Sequence, residues 1–471
     1  MNVVSQIKKF FEPKSVAIFG VSRRTGKEAF NILDNLLSYG YKGNIYPINP
    51  NATEILGIKT YPDIQSVPEQ CDLAILNLPR QIIPKVVKEC EDNGIDSIVI
   101  VTQGFGDADD EEGKQLQAEL EEIIKRNNIR VLGPNSLGIA NAFVNFSSSF
   151  AKLDMERIPV GLICQTGVFM AGYSSAKFVG KGLDLGNGSD IDMADGLQYF
   201  EQDDDIKVVA LHIEGMKNGR KFLEAAKKIT VKKPVVALKT GKSEQAARAA
   251  QSHTGSMAGK DKVWDVALKQ SGIIRVGDID EFADTVKAFY TLPPMKGNRI
   301  AVASYTGGLG IMCIDACNKY GLEIGKLSQP TLKRLEDFYP SWQNVGNPAD
   351  IWPAIMVERK GSLPEIEEMA VDTLLSDPGI DGILCVFGEF LPSGQGRSLT
   401  PMIERITNAY PEKPLIFHIY GSFADEAKTN IEKTGKTLAF TSVDRAMRAL
   451  GHLYDYSKFV TTQVQGSWVH G

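Results

Sequence analysis

The stretch "QSHTGSMAGK", Gln251 to Lys260, sets one histidine among small, mostly uncharged residues, in a chain that has only five. A core histidine sits among bulky apolar neighbours, and His253 has none along the sequence. No cysteine or carboxylate lies within the ten, so a metal site lacks a second ligand there. An exposed loop histidine without a task is one reading, and the small residues around it leave the loop free to move. A neutral imidazole is nucleophilic near pH 7, and a carboxylate on its other nitrogen fixes the tautomer and stabilises positive charge.

Three glycine turns offer main-chain amides to a phosphate. "FGVSRRTGK", Phe19 to Lys27, lets the chain turn at Gly20, with Ser22 as a donor and Arg23 as a charge. It lacks the G-x-G-x-x-G fingerprint, so it specifies no nicotinamide dinucleotide and reads equally as a structural turn. "CQTGV", Cys164 to Val168, and "YTGGLG", Tyr305 to Gly310, each follow an apolar run and open a helical pattern. A helix N-terminus carries free amides and partial positive charge, which favours phosphate, though either stretch could be only a tight turn. "LKTGKS" ends like a P-loop, but Val236 stands where the first glycine is needed.

The elements that position these turns alternate regularly. "SVAIFG", "GNIYPINP", "DLAILNLP", "SIVIVTQG" and "IRVLGPN" read as strands separated by helices. The pattern restarts at "PVGLICQTG", with "KVVALHI" and "PVVALKTG" as further strands. It restarts again after "TLPPMKGN", with "RIAVASYTGG", "GILCVFGEF" and "PLIFHIYG". The fold class is α/β, with three consecutive doubly wound parallel-sheet domains at 1–145, 146–294 and 295–471. Ligands of such sheets bind beyond the carboxyl ends of the strands.

Composition narrows the function. A net charge of −6 argues against a general nucleic-acid binder, and "AAKKITVKKP" reads as a solvated face. Six scattered cysteines form no Cys-x-x-Cys pair, and Cys313 with Cys317 has no second pair of ligands, so buried thiols are expected and no metal. The start lacks the apolar core of a signal peptide, and no apolar run approaches a bilayer span. The expected location is the cytoplasm, without membrane.

Read in order, "VAIFGVSRRTGK", "YPINPN", "GPNSLGIAN", "CQTG", "LHIEGMKNGRKF" and "QSHTGSMAG" resemble the NDP-forming acyl-CoA synthetases, relatives of succinyl-CoA synthetase. "SYTGGLGIMCIDACNKYGLEI" and "VGNPADI" resemble the family's remaining flavodoxin-like domain. The likeness spans roughly residues 10 to 455. It implies a Rossmann-like CoA-binding domain followed by two flavodoxin-like domains. Gly20, Ser22, Arg23, Pro50, Pro79 and Asn135 would lie about the CoA. His253 matches the transiently phosphorylated histidine and Glu214 the glutamate that orients it. Gln165, Thr166 and Gly167 match the helix start that holds the phosphate, and Gly307, Gly308 and Gly310 a second one facing it. Val345, Gly346 and Asn347 fall near the acyl pocket, which "VNFSSSF" also helps to shape. Trp352 could pack on an acyl group or fill the core, the commoner place for a lone aromatic. Two positions depart from the family: Cys164-Gln165-Thr166-Gly167 replaces Ser-Gln-Ser-Gly or Ser-Arg-Ser-Gly, and Gln103 stands where some relatives are acidic.

The family's ATP-grasp lobes, which bind nucleotide and magnesium, have no counterpart in the three α/β segments. The resemblance therefore implies an alpha subunit whose ATP-grasp beta subunit is a separate chain, as an α2β2 assembly. Coenzyme A and a small carboxylic acid would be its substrates, with ATP or ADP and Mg2+ on the partner. The rival reading is a CoA- or acyl-CoA-sensing module that keeps the fold without the chemistry. A nicotinamide dehydrogenase is disfavoured by the imperfect first glycine turn.

Overall fold

The computed structural model describes residues 2–22, 30–172, 178–243, 245–246, 261–358, 361–392 and 394–467. They fall into two units, Met1–Val286 and Lys287–Gly471.

The first unit opens with a helix, Val3–Phe11 (α1), capped by the Asn2 side chain, which accepts from Val4 N. Five strands follow: Ser15–Phe19 (β1), Asn44–Ile48 (β2), Leu73–Leu76 (β3), Ser97–Ile100 (β4) and Arg130–Leu132 (β5). They pair in parallel in the order β2-β1-β3-β4-β5. β1, β3 and β4 are buried at every position, the mark of a sheet covered on both faces. The strand order reverses between β1 and β3, which opens a crevice at their carboxyl ends. A second helix, Ile32–Tyr39 (α2), starts beside that edge, its first amides bonded to the Asn31 side chain.

The same unit holds a second sheet: Ile139–Asn141 (β6), Phe146–Ser147 (β7), Val160–Cys164 (β8), Lys181–Asp184 (β9), Val208–Ile213 (β10), Val235–Lys239 (β11) and Ile274–Val276 (β12). Its order is β12-β11-β10-β8-β9-β6-β7, parallel except for the β9–β6 and β6–β7 pairs. The order reverses here between β8 and β10. The expected boundary near 145 falls inside the β6–β7 hairpin, because "GIAN" is too short to announce a strand. Helices Met193–Gln202 (α3) and Asp261–Gln270 (α4) also belong to this half. α1 packs on α3, and one apolar core runs from Phe10 and Phe11 through both sheets to Phe200 and Phe222.

The second unit has a single main sheet of Arg299–Ser304 (β13), Glu323–Ile324 (β14), Ala349–Asp350 (β15), Gly382–Gly388 (β16), Leu415–Tyr420 (β17) and Leu438–Phe440 (β18). Its order is β14-β13-β16-β17-β18, with β15 paired to the end of β13, all parallel. Alternate residues feed two cores: Ala301, Ala303, Ile383 and Phe417 on one face, Ile300, Val302, Leu384 and Ile416 on the other. Helix Gly307–Lys319 (α5) follows β13. The α/β reading with successive parallel sheets holds, with two antiparallel additions among the described residues: the β6–β7 edge and a small pair, Glu54–Ile55 with Ile58–Lys59.

All six cysteines are buried and free. Among the described residues no helix is long and apolar enough to cross a membrane.

The α1–α3 contact ties the first sheet to the second. The Phe11 ring is fully buried and stacks on Tyr199 at 4.7 Å and 9°. Phe11→Ala should destabilise the first unit by about 3–5 kcal/mol, read as a lower urea midpoint at unchanged slope.

Candidate functional site

At the reversal between β1 and β3, Gly20 has φ +80°, and a Cβ there would sit 1.9 Å from the Asn77 carbonyl oxygen. The ends of the two strands touch through main chain, which only glycine allows. Across the edge, Asn135 adopts φ 57°, and its amide donates to Thr102 O at 2.9 Å. Beyond these strand ends lies a cleft of about 430 Å³. Asn77, Thr102, Gln103 and Asn135 form one wall, Leu137, Gly167 and Asp184 another, and Phe30 and Phe150 meet edge to face at 5.5 Å beside them. Of the residues expected about CoA, Asn135 lines this cleft. Gly20, Ser22, Pro50 and Pro79 stand at the carboxyl ends of β1, β2 and β3 without lining it. Arg23 lies outside the described residues.

The second reversal, between β8 and β10, brings together residues some fifty positions apart. The Gln165 side-chain carbonyl accepts from Glu214 N at 2.7 Å and Gly215 N at 3.1 Å. The Thr166 hydroxyl donates to the Glu214 carboxylate. Glu214 is 8% exposed, so a hydroxyl bond fixes a carboxylate that water barely reaches. Gly167 precedes the helical turn Val168–Ala171, and a Cβ on it would lie 2.5 Å from Leu137 Cγ and 3.1 Å from Asp184 Oδ2. Gly167 is thus shared between this junction and the cleft wall. The Gln165 side chain braces the Glu214 main chain, so any phosphate contact here falls to the turn's amides and to Thr166. His253 lies outside the described residues.

Three residues of this edge escaped the sequence reading. Asp184 ends β9 and lines the cleft. It accepts from Leu137 N at 2.6 Å and Gly186 N at 3.4 Å, tying the "GPNSLG" loop to the second sheet. Burial, with a smaller contribution from Glu214, pushes its carboxyl up to about 6 despite these amides. Lys239 ends β11 and is 1% exposed; burial pulls its ammonium below the usual lysine value. His212 in β10 stacks on Phe169 at 4.0 Å and meets Thr240 Oγ1 at 3.2 Å. Burial, then the Lys239 charge, lowers its pKa to about 3, so it stays neutral. A lone polar residue in an apolar strand, as in "VVALHI" or "PVVALK", was the only signal.

In the second unit Thr306 caps α5, its hydroxyl accepting from Gly308 N at 3.1 Å. Gly307 and Gly308 are exposed, while Gly310 is buried, with room for a Cβ only 3.1 Å from Pro348. The acyl-pocket expectation fares differently. Asn347 accepts from Val302 N at 2.9 Å and donates to Ile300 O at 2.8 Å and Gly325 O at 2.9 Å. Its amide is committed to bracing β13 and the chain after β14, which leaves a structural role. Val345 packs against the core, and Gly346 has open space around it. Trp352, read as core, is 45% exposed, its ring 5.7 Å from Tyr305.

Residues 14–142 match the family model described as "CoA binding domain", and residues 158–289 the "Succinyl-CoA ligase like flavodoxin domain". The "Acetate–CoA ligase [ADP-forming] II subunit alpha" of Pyrococcus furiosus is 35% identical over 436 residues, covering 90% of this chain and 93% of the relative. The chain belongs to the ADP-forming acyl-CoA synthetase family. Among other members, the "Acetate–CoA ligase [ADP-forming] II" of Archaeoglobus fulgidus is also 35% identical over 97% of this chain, which spans 68% of that longer relative. A solved relative superposes over 98% of both chains with a TM-score of 0.86 at 28% identity. It is the dinucleotide forming acetyl-coenzyme A synthetase 1 of Candidatus Korarchaeum cryptofilum, in complex with phosphate and ADP.

The raised Asp184 carboxyl makes the stability of this family member pH-dependent. Its pKa moves from 3.8 to about 6 on folding, so between those values the folded chain holds the extra proton. The penalty for burying the charge is absent below pH 3.8, grows through the window and is complete above about 6, reaching on the order of 3 kcal/mol. Urea unfolding at pH 4 to 7 should show wild type losing stability relative to Asp184→Asn as pH rises. Parallel curves would place the titrating proton elsewhere.

Proposed function

We propose that the chain is the alpha subunit of an ADP-forming acyl-CoA synthetase, an acid–thiol ligase. It interconverts acyl-CoA, ADP and phosphate with a carboxylic acid, CoA and ATP. The observation that carries the reading is the junction of Gln165, Thr166 and Glu214 at a strand-order reversal, with Gly167 shared by the adjoining cleft. The family relationship and the P. furiosus relative, itself called a subunit alpha, support it.

In this reading the cleft holds the pantetheine end of CoA, with Asn135 and the turns at Gly20, Ser22, Arg23, Pro50 and Pro79 around the rest. Phosphate attacks the thioester carbon; the C–S bond breaks, CoA leaves as thiolate and takes a proton, and acyl phosphate forms. A ring nitrogen of His253 then attacks phosphorus, and the carboxylate departs. Glu214, oriented by Thr166, accepts from the second ring nitrogen and stabilises the imidazolium. The amides about Gly167 offset the phosphoryl charge; the start of α5 at Gly307, Gly308 and Gly310 is a phosphate-binding terminus of the same kind in the second unit. The acyl group lies, in the same reading, beside Phe150 at the cleft.

The division into a CoA-binding domain at 1–145, a domain at 146–294 with the histidine loop, and a ligase-CoA-type domain at 295–471 belongs to the same reading. So do a separate ATP-grasp beta subunit holding ADP or ATP with Mg2+, an α2β2 assembly, and a cytoplasmic location.

The test uses the full chain purified from its own cells, with whatever chain accompanies it, supplied with ATP and magnesium. One acid-labile, alkali-stable phosphate should map to His253 and vanish in His253→Ala. Glu214→Gln should slow labelling on the order of 100-fold while CoA affinity is unchanged. An unlabelled His253 in a chain that binds CoA would favour the regulatory CoA-binding module instead.

A further inference from the structure

Lys239 Nζ donates to Glu214 O at 2.9 Å and to Thr240 O, and lies 5.3 Å over the Trp264 ring. Among the described residues no carboxylate oxygen is within ion-pair distance of it. The contrast is Lys181, equally buried at 1% exposure, which reaches Asp203 at 2.7 Å and Asp205 at 2.9 Å. Burying an ammonium is costly unless a counter-charge offsets it. Packing alone does not need one here, since methionine fills about the same volume with no charge to desolvate.

The three groups it touches share a location. Glu214 is the candidate orienting carboxylate. Thr240 lies where β11 runs out toward the segment that contains His253, and Trp264 is in α4, the first described helix after that segment. The Glu214 main chain is held from both sides, its amide by the Gln165 carbonyl at 2.7 Å and its carbonyl by Lys239. With both peptide groups tied, its carboxylate moves only through side-chain torsions.

We propose that Lys239 is a positioning residue for phosphoryl transfer: it fixes the main chain of Glu214 and joins it to both stems of the histidine segment. The role rests on the phosphohistidine reading above. Because Lys239 contacts no substrate position, it should govern the rate of transfer and leave CoA binding alone.

The experiment compares wild type, K239M and K239R in the full complex, reading melting temperature, CoA affinity and the rate of His253 phosphorylation by ATP and magnesium. K239M should melt at or above wild type, since a buried charge is removed at similar volume. It should bind CoA equally well and label His253 on the order of 10–100-fold more slowly, the scale of loss expected from a misplaced catalytic group. K239R, which keeps charge and donors, should recover part of the rate. A K239M that labels at the wild-type rate overturns the proposal. So does a K239M whose melting temperature, CoA affinity and labelling all fall together, because that is a structural role. Should K239M not fold, K239Q, which keeps one donor for the Glu214 carbonyl, carries the same comparison. Wild type that binds CoA and takes no phosphate on His253 sinks the parent reading and this one together, and differs from the other outcomes because all variants then behave alike.

Discussion

Two hydrogen bonds from successive amides, Glu214 and Gly215, to the single carbonyl of Gln165 decide what the second sheet can do. β8 and β10 are neighbours, but the chain leaves them in opposite directions along the sheet, so their ends would diverge. The Gln165 side chain closes that gap and turns the end of β10 toward Thr166. The hydroxyl of Thr166 then meets the Glu214 carboxylate. Without this brace the crevice that strand-order reversal always creates would be open but featureless. With it, a carboxylate is fixed beside a turn whose Gly167 also walls the neighbouring cleft.

That sharing explains why two sheets occupy one unit. Gly167 admits no Cβ because Leu137 and Asp184 crowd it, and Leu137 in turn hangs by its amide from Asp184. Gly186 repeats the theme, since a Cβ there would lie 2.3 Å from Pro134 O. The loop closing the first sheet is therefore packed main chain against main chain on the second. A ligand in the cleft touches both at once. The buried α1–α3 contact serves the same end from the far side of the core.

Much of this was legible in the sequence, for physical reasons that also mark where legibility stopped. Strands such as "SVAIF" and "VGLIC" announced themselves because a doubly covered parallel strand is apolar without alternation, and the glycines after them marked tight exits. β6 did not, because three residues inside "GPNSLGIAN" carry no periodicity and gain their partners from a distant strand and from the two-residue β7. Asn347 sat in a motif suggestive of a pocket, yet three main-chain groups far apart in sequence claim its amide. Trp352 looked like core because most tryptophans are, and its exposure depends on where β15 ends. Asp184 and Lys239 were invisible since a single charged residue ending an apolar run looks like the strand meeting solvent. Only the fold reveals that those ends are buried.

The two ends of the strands treat charge in opposite ways. At the amino ends, cations are paired with carboxylates. Lys181 begins β9 and meets Asp203 and Asp205; Arg130 begins β5 and meets Asp190 and Asp195; Arg299 begins β13 and meets Asp381. These bridges hold layers together, each cation being matched or outnumbered by carboxylates. At the carboxyl ends of the second sheet, Asp184 and Lys239 are spent on main-chain groups, and Glu214 takes a hydroxyl. Their charges are desolvated, which raises the Asp184 pKa and lowers that of Lys239. A fold optimised for stability alone would exchange such groups for apolar ones or pair them directly. Keeping them desolvated at one edge leaves that edge with electrostatic work undone, which an incoming charged group can complete. The buried lysine beneath makes the field at that edge less negative.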